Sequence, residues 1–152
     1  MQTDPRMAEI SEMPFDGQRM IFGGFAPFVD EGSGRGGYTD GFVLPVPQGN
    51  EGAYRDMAVK AAGKFREYGA VRVVEAWGDD VPEGKVTDFN RAVKAEPGEK
   101  IVFSWIEWPD KATRDAGWQK MMADPDMQHD PANIPFDGKR MFWGGFAPIV
   151  DE

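Results

Sequence analysis

The stretch KIVFSWIEWP, Lys100 to Pro109, decides how this chain is read. Read as a strand, it puts Ile101, Phe103, Trp105 and Glu107 on one face and Val102, Ser104, Ile106 and Trp108 on the other. An antiparallel sheet with one wet face should alternate cleanly between apolar and polar residues. Neither face does so here. Both faces of the sheet are therefore expected to be covered, and the neighbouring segments must supply the covers.

On the N-terminal side, AVRVVEAWGDD (Ala70 to Asp80) reads as another strand. The connection between the two, VPEGKVTDFNRAVKAEPGE, is punctuated by Pro82, Gly84, Pro97 and Gly98 and reads as irregular. Further back, Asn50 to Gly69 reads as a helix. Asn50 is the expected N-cap, and Glu51 lies at the positive end of the helix dipole. Tyr54, Ala58, Ala61, Phe65 and Tyr68 form one apolar stripe, and Gly69 is the stop. YTDGFVLPVP (Tyr38 to Pro47) is a strand with Phe42, Leu44 and Val46 on one face; Pro45 and Pro47 put its end at a sheet margin. On the C-terminal side, Asp110 to Asp124 reads as a helix capped by Asp110. Lys139 to Val150 reads as a last strand, with a bulge or bend at Gly144-Gly145.

Strand, helix, strand, strand, helix, strand is the α+β, ferredoxin-like order: a four-stranded antiparallel sheet with both helices on one face. No helix is left for the second face. The same sheet of another subunit is the expected cover, giving a dimeric α/β barrel about a two-fold axis.

A repeat adds one strand to this plan. MPFDGQRMIFGGFAPFVDE (Met13 to Glu31) matches IPFDGKRMFWGGFAPIVDE (Ile134 to Glu152) without gaps, at fourteen of nineteen positions. Upstream, DPRM at Asp4 to Met7 echoes DPDM at Asp124 to Met127. GSGRGG, Gly32 to Gly37, is a flexible linker. The expected organisation is a duplicated C-terminal segment over residues 1–31, the linker over 32–37 and the ferredoxin-like domain over 38–152. Such a copy is expected either from a tandem two-domain ancestor or from deliberate grafting, and the five differences favour divergence after duplication. Its strand is expected to pair at a sheet edge, in its own chain or across a dimer, or to compete with the C-terminal copy for one slot.

Composition narrows the function classes. A net charge of −9 repels phosphate backbones and argues against nucleic-acid binding. With no cysteine there is no disulfide, thiolate nucleophile or cysteine-held zinc, which fits a cytoplasmic protein. No apolar run approaches a membrane span, and the N-terminus has no basic start followed by an apolar stretch.

The words DGFVLPVP, VRVVEAWGDDVPEGKVTDF, FSWIEWPDKATRDAG and PFDGKRMFWGGFAPIVD resemble the YbaA-like family, a bacterial domain of unknown function. That family is grouped with dimeric α/β-barrel proteins, among them small monooxygenases and stress-response proteins. The resemblance covers Tyr38 to Glu152. It implies the ferredoxin-like fold and a homodimer, and it carries over no reaction and no catalytic residue. Members look like single domains beginning near Tyr38, so the copy ahead of it is a departure.

Chemistry is sparse. Glu75 and Trp77 share a face of one strand; Phe103, Trp105 and Glu107 share a face of the next. Turned toward one cavity, with Phe65 from the helix, they would set two carboxylates among aromatics, where burial raises a carboxyl pKa and suits acid–base work. The plainer alternative is aromatic packing with both carboxylates in water. Met57, Met121 and Met122 face the sheet from the helices, either as gap-filling core or, with Phe65 and Trp118, as the lining of an apolar pocket. His129 stands alone in a loop and makes a poor metal ligand. Asp79, Asp80 and Asp88 match no calcium loop. Neither a metal nor a cofactor is expected. Three functions fit: a cytosolic homodimer that binds a small apolar or aromatic molecule without catalysis, a cofactor-independent oxygenase- or isomerase-like enzyme on a small aromatic or ketone, or a protein whose dimerisation is itself the role.

Overall fold

A computed structural model describes residues 13–152. The echo at Asp4 to Met7 lies outside the described residues. In chain order the elements are β1 (Gly24–Gly32), β2 (Tyr38–Pro47), α1 (Glu51–Glu67), β3 (Arg72–Asp80), α2 (Phe89–Ala92), β4 (Glu99–Trp108), α3 (Lys111–Ala123) and β5 (Phe142–Phe146). The fold is α+β. The five strands of the described residues form one antiparallel sheet in the order β1-β3-β4-β2-β5. The α1 connection carries the chain from β2 past β4 to β3, and the α3 connection carries it from β4 past β2 to β5.

The helices form where the sequence supports them. α3 starts at Asp110, whose carboxylate accepts from the Thr113 N–H at 2.7 Å. α1 starts after Asn50, but that side chain does not cap it. Its amide donates instead to the Pro135 carbonyl at 3.0 Å and ties the helix start to the segment before β5. Gly69, at φ 116°, turns the chain out of α1 where other residues would be strained. Tyr54, Ala58, Ala62 and Phe65 of α1 and Met121 of α3 are buried against Leu44, Val46, Val73, Val102, Ile106 and Trp108 of the sheet.

One buried acid locks α3 in place. Asp40 accepts the indole N–H groups of Trp108 (3.0 Å) and Trp118 (2.8 Å) and pairs with the Arg114 guanidinium at 2.7 Å. It is fully buried, with both carboxylate oxygens accepting hydrogen bonds, as a charge at such depth requires.

The second face departs from the sequence argument. Part of it is covered from within the chain. The supposedly irregular connection contains α2, capped by Asp88, which accepts from the Arg91 N–H at 2.7 Å. Phe89 and Val93 pack there on Val43 and Ile101, and Phe25 of β1 joins them. Phe103 and Trp105 stay half-buried.

The N-terminal copy lies at the β3 edge of its own chain, one of the three placements anticipated. The C-terminal copy lies at the opposite edge, beside β2. β5 is shorter than expected. It flanks only Thr39–Val43 of β2, and Ala147–Glu152 continue outside any strand. The glycine pair expected to kink the last strand does not shift register there; its counterpart in β1 does, between Gly24 and Phe25.

Candidate functional site

Between the two helices and the sheet lies a cavity of about 530 Å³, within the range of small-molecule sites, roughly 300–1,000 Å³. Its floor is the alternate-residue face of the sheet: Phe42 and Leu44 of β2, Val73 and Glu75 of β3, Ser104 and Ile106 of β4. α1 contributes Tyr54, Met57 and Phe65; α3 contributes Trp118, Met121 and Met122. Met127, His129, Phe136 and Met141, from the segment leading to β5, complete the rim. Three methionines on two facing helices give the walls adaptable, polarisable surface.

Trp118 is fixed as a wall from behind and from the side. Its indole N–H is held by Asp40, and its ring meets Phe65 edge-on at 4.9 Å. Near the mouth, Asp124 ties the end of α3 to α1 through Lys64 (2.9 Å) and the Tyr68 hydroxyl. Those two donors hold the Asp124 carboxyl down to about 2.

The polar centre is Glu75. The Tyr54 hydroxyl donates to its Oε1 at 2.7 Å. Burial pushes the Glu75 carboxyl up to about 7, and the phenol's hydrogen bond opposes that rise only in part. The same burial, reinforced by the negative charge of Glu75, pushes the Tyr54 phenol up. Glu75 retains some exposed surface because it faces the open cavity. A carboxyl poised near neutrality in an apolar cavity can give or take a proton at ordinary pH.

The register divides the six expected site residues. Glu75 pairs with Ser104 and shares its face, so Glu75 and Phe65 line the cavity. Trp77 shares that face but stands beyond the lining, stacked on Phe28 at 4.7 Å and 5.7 Å from Tyr54. Trp105 pairs with Val74 and Phe103 with Ala76, which turns both to the opposite face. Glu107 is on that opposite face as well, held by the Trp105 indole N–H at 3.1 Å and close to Arg72. The two carboxylates do not meet in one cavity. The pairing of β3 with β4 sets this, and neither strand's own pattern contains it.

Two residues of the site were not singled out by sequence. In the sequence Tyr54 is one member of an apolar stripe; in the fold its hydroxyl supplies the partner of Glu75. Asp40 shares a strand face with Phe42, Leu44 and Val46; an acid on an otherwise apolar face was the available signal. His129 sits at the rim, exposed, so the loop position read from sequence stands beside the cavity mouth. Among the described residues, no group of three or more metal-ligating side chains comes together, and no helix is long and apolar enough to cross a membrane.

Comparison with known proteins gives a consistent picture. A family model described as "Protein of unknown function (DUF1428)" matches residues 37–138. The uncharacterized protein YbaA of Escherichia coli K12 is 60% identical over 115 residues, which is 76% of this chain and 98% of that protein. YbaA of Shigella flexneri matches to the same extent.

Proposed function

From the premise that the chain belongs to the DUF1428 family, we propose that the cavity under α1 and α3 captures one small, largely apolar or aromatic molecule. The observation that carries this reading is a methionine- and aromatic-lined space of about 530 Å³ with a single carboxyl–phenol pair at its polar end. Such a site buries an apolar body and orients it through one polar contact. The reading extends to a ferredoxin-like arrangement of the four strands from Tyr38 onward. It also extends to a cytoplasmic homodimer that uses the half-buried Phe103–Trp105 surface. The test is native mass spectrometry of the purified protein, followed by thermal shift against small aromatic ketones and phenols. A retained or added ligand that raises Tm supports the reading. A protein that carries nothing, and whose Tm no compound moves even at millimolar concentration, contradicts it.

One observation favours a second reading. The raised Glu75 carboxyl, hydrogen-bonded to a phenol, is equipped to take a proton from carbon beside a carbonyl and return it at another position. This is an isomerisation that needs no co-reactant. Glu75→Gln then loses at least about a hundredfold in turnover while the cavity still binds. A binder without catalysis loses affinity alone.

A further inference from the structure

The duplicated segment is used from opposite ends in its two places. In the C-terminal copy the first half is seated. Arg140 makes a bidentate pair with Glu99 (2.6 and 2.7 Å), Phe136 and Met141 line the cavity rim, and Phe142–Phe146 pair with β2. Its second half is bare: Ile149 is 98% exposed and Val150 75%. In the N-terminal copy the pattern inverts. The first half is loose, with Phe15, Met20 and Phe22 exposed, while the second half is a strand on β3. There Val29, the counterpart of Val150, is 5% exposed, and Phe28, the counterpart of Ile149, stacks on Trp77 beside Tyr54. Asp30, the counterpart of Asp151, holds Arg72 through two bonds of 3.0 Å.

The β3 edge thus already accepts the words AP-x-VDE, and the same words stand unpaired at Ala147 to Glu152. From this we infer that Ala147–Glu152 of one chain is a docking strand for the β3 edge of a second copy, where it takes the place β1 fills in its own chain. The recognition is strand addition: main-chain bonds give affinity, and alternate side-chain seats give specificity. The seats are the Val29 position in the core, the Phe28 position over Trp77, and Arg72 for the acid. The incoming strand also brings Ile149 to the Phe28 seat beside Trp77 and Tyr54, so a second copy contributes to the wall behind the candidate site. Eight of the eleven large apolar side chains that are exposed among the described residues lie in the two copies, in the halves their own edges do not cover and along β5 itself. Unsatisfied apolar strand of this kind marks an interaction surface. Within one chain, β1 competes at the high effective concentration set by a six-residue linker, so the exchange emerges when β1 is weakened.

The test uses full chains in two roles. The donor is the chain labelled at an introduced Ser33→Cys, the sole cysteine; its own β3 edge is closed by β1. The acceptor carries Phe25→Ala and Val29→Asp to unseat β1, and Ile149→Asp and Val150→Asp so that it cannot donate. The donor is expected to bind this acceptor at least tenfold more tightly than a chain with the same tail changes and an intact β1. Val150→Asp in the donor should cost at least tenfold. Equal binding to both acceptors, or an unaffected Val150→Asp donor, overturns the inference. Should the acceptor be unfolded alone, donor at a hundred micromolar is expected to restore its thermal transition, and failure to do so likewise overturns it.

Discussion

The two edges of the sheet hold nearly the same nineteen residues and hold them differently. At the β2 edge the segment is gripped by its first half, through Arg140 and Phe142–Phe146. At the β3 edge it is gripped by its second half, through Phe25, Val29 and Asp30. Arg19 and Arg140 illustrate the point. They occupy equivalent positions, and each pairs with the aspartate three residues earlier. Only Arg140 finds Glu99, and its side chain is 17% exposed against 76% for Arg19. Identical local sequence therefore does not fix a strand's extent or burial; the receiving edge does, because most strand stabilisation comes from cross-strand and same-face neighbours.

Paired substitutions can break that contrast. The largest difference is expected between Val29→Asp and Val150→Asp. The first puts a carboxylate into a buried seat and should cost about 3–4 kcal/mol, or as much as releasing β1 costs if that is less. The second touches an exposed residue and should cost under about 0.5 kcal/mol. Chemical denaturation of the two variants measures both, and equal losses would erase the distinction between the edges.

A pH titration sharpens the contrast on the β3 side, where Phe28 packs over Tyr54. The folded Glu75 carboxyl stands at about 7, above its unfolded value of 4.5. The folded state therefore holds this proton more tightly than the unfolded state. The associated stability is fully present below pH 4.5 and is lost as pH rises through 7, by roughly 3 kcal/mol at most. Glu75→Gln should remove this slope between pH 4.5 and 7 and leave the protein more stable than its parent at pH 8. An unchanged slope would mean that Glu75 is not the titrating group.

The smallest contrast concerns the two arginines. Arg140→Ala strands the nearly buried Glu99 and should cost about 2 kcal/mol, whereas Arg19→Ala should lie within about 0.5 kcal/mol of the parent. Thermal melts of the pair decide it, and comparable shifts would show that the Glu99 contact has no special weight.

Much of the fold was legible because its signals are local. The alternation of Phe42, Leu44 and Val46 placed β2 at the residues it occupies, and Asp110 marked the start of α3. Met57, Met121 and Met122, expected to face the sheet from the helices, line one pocket with Phe65 and Trp118. Most of what failed to show was non-local. No pattern within β3 or β4 states that Glu75 faces Ser104 and not Glu107. Proline and glycine around α2 hid a short helix whose Phe89 and Val93, four apart, were its trace. Asn50 looked like a cap and was drawn off by the Pro135 carbonyl, which lies eighty-five residues away. The early end of β5 could not be read from a segment whose twin runs on to Gly32.

Hydrogen–deuterium exchange read by mass spectrometry tests the contrast most directly, since Phe28 and Ile149 give the two copies distinguishable peptides. In dilute full chain, the amides of Ala26–Glu31 should exchange at least about a hundredfold more slowly than those of Ala147–Glu152. Equal exchange in the two peptides, fast or slow, would contradict the account of one segment held by opposite halves at two edges.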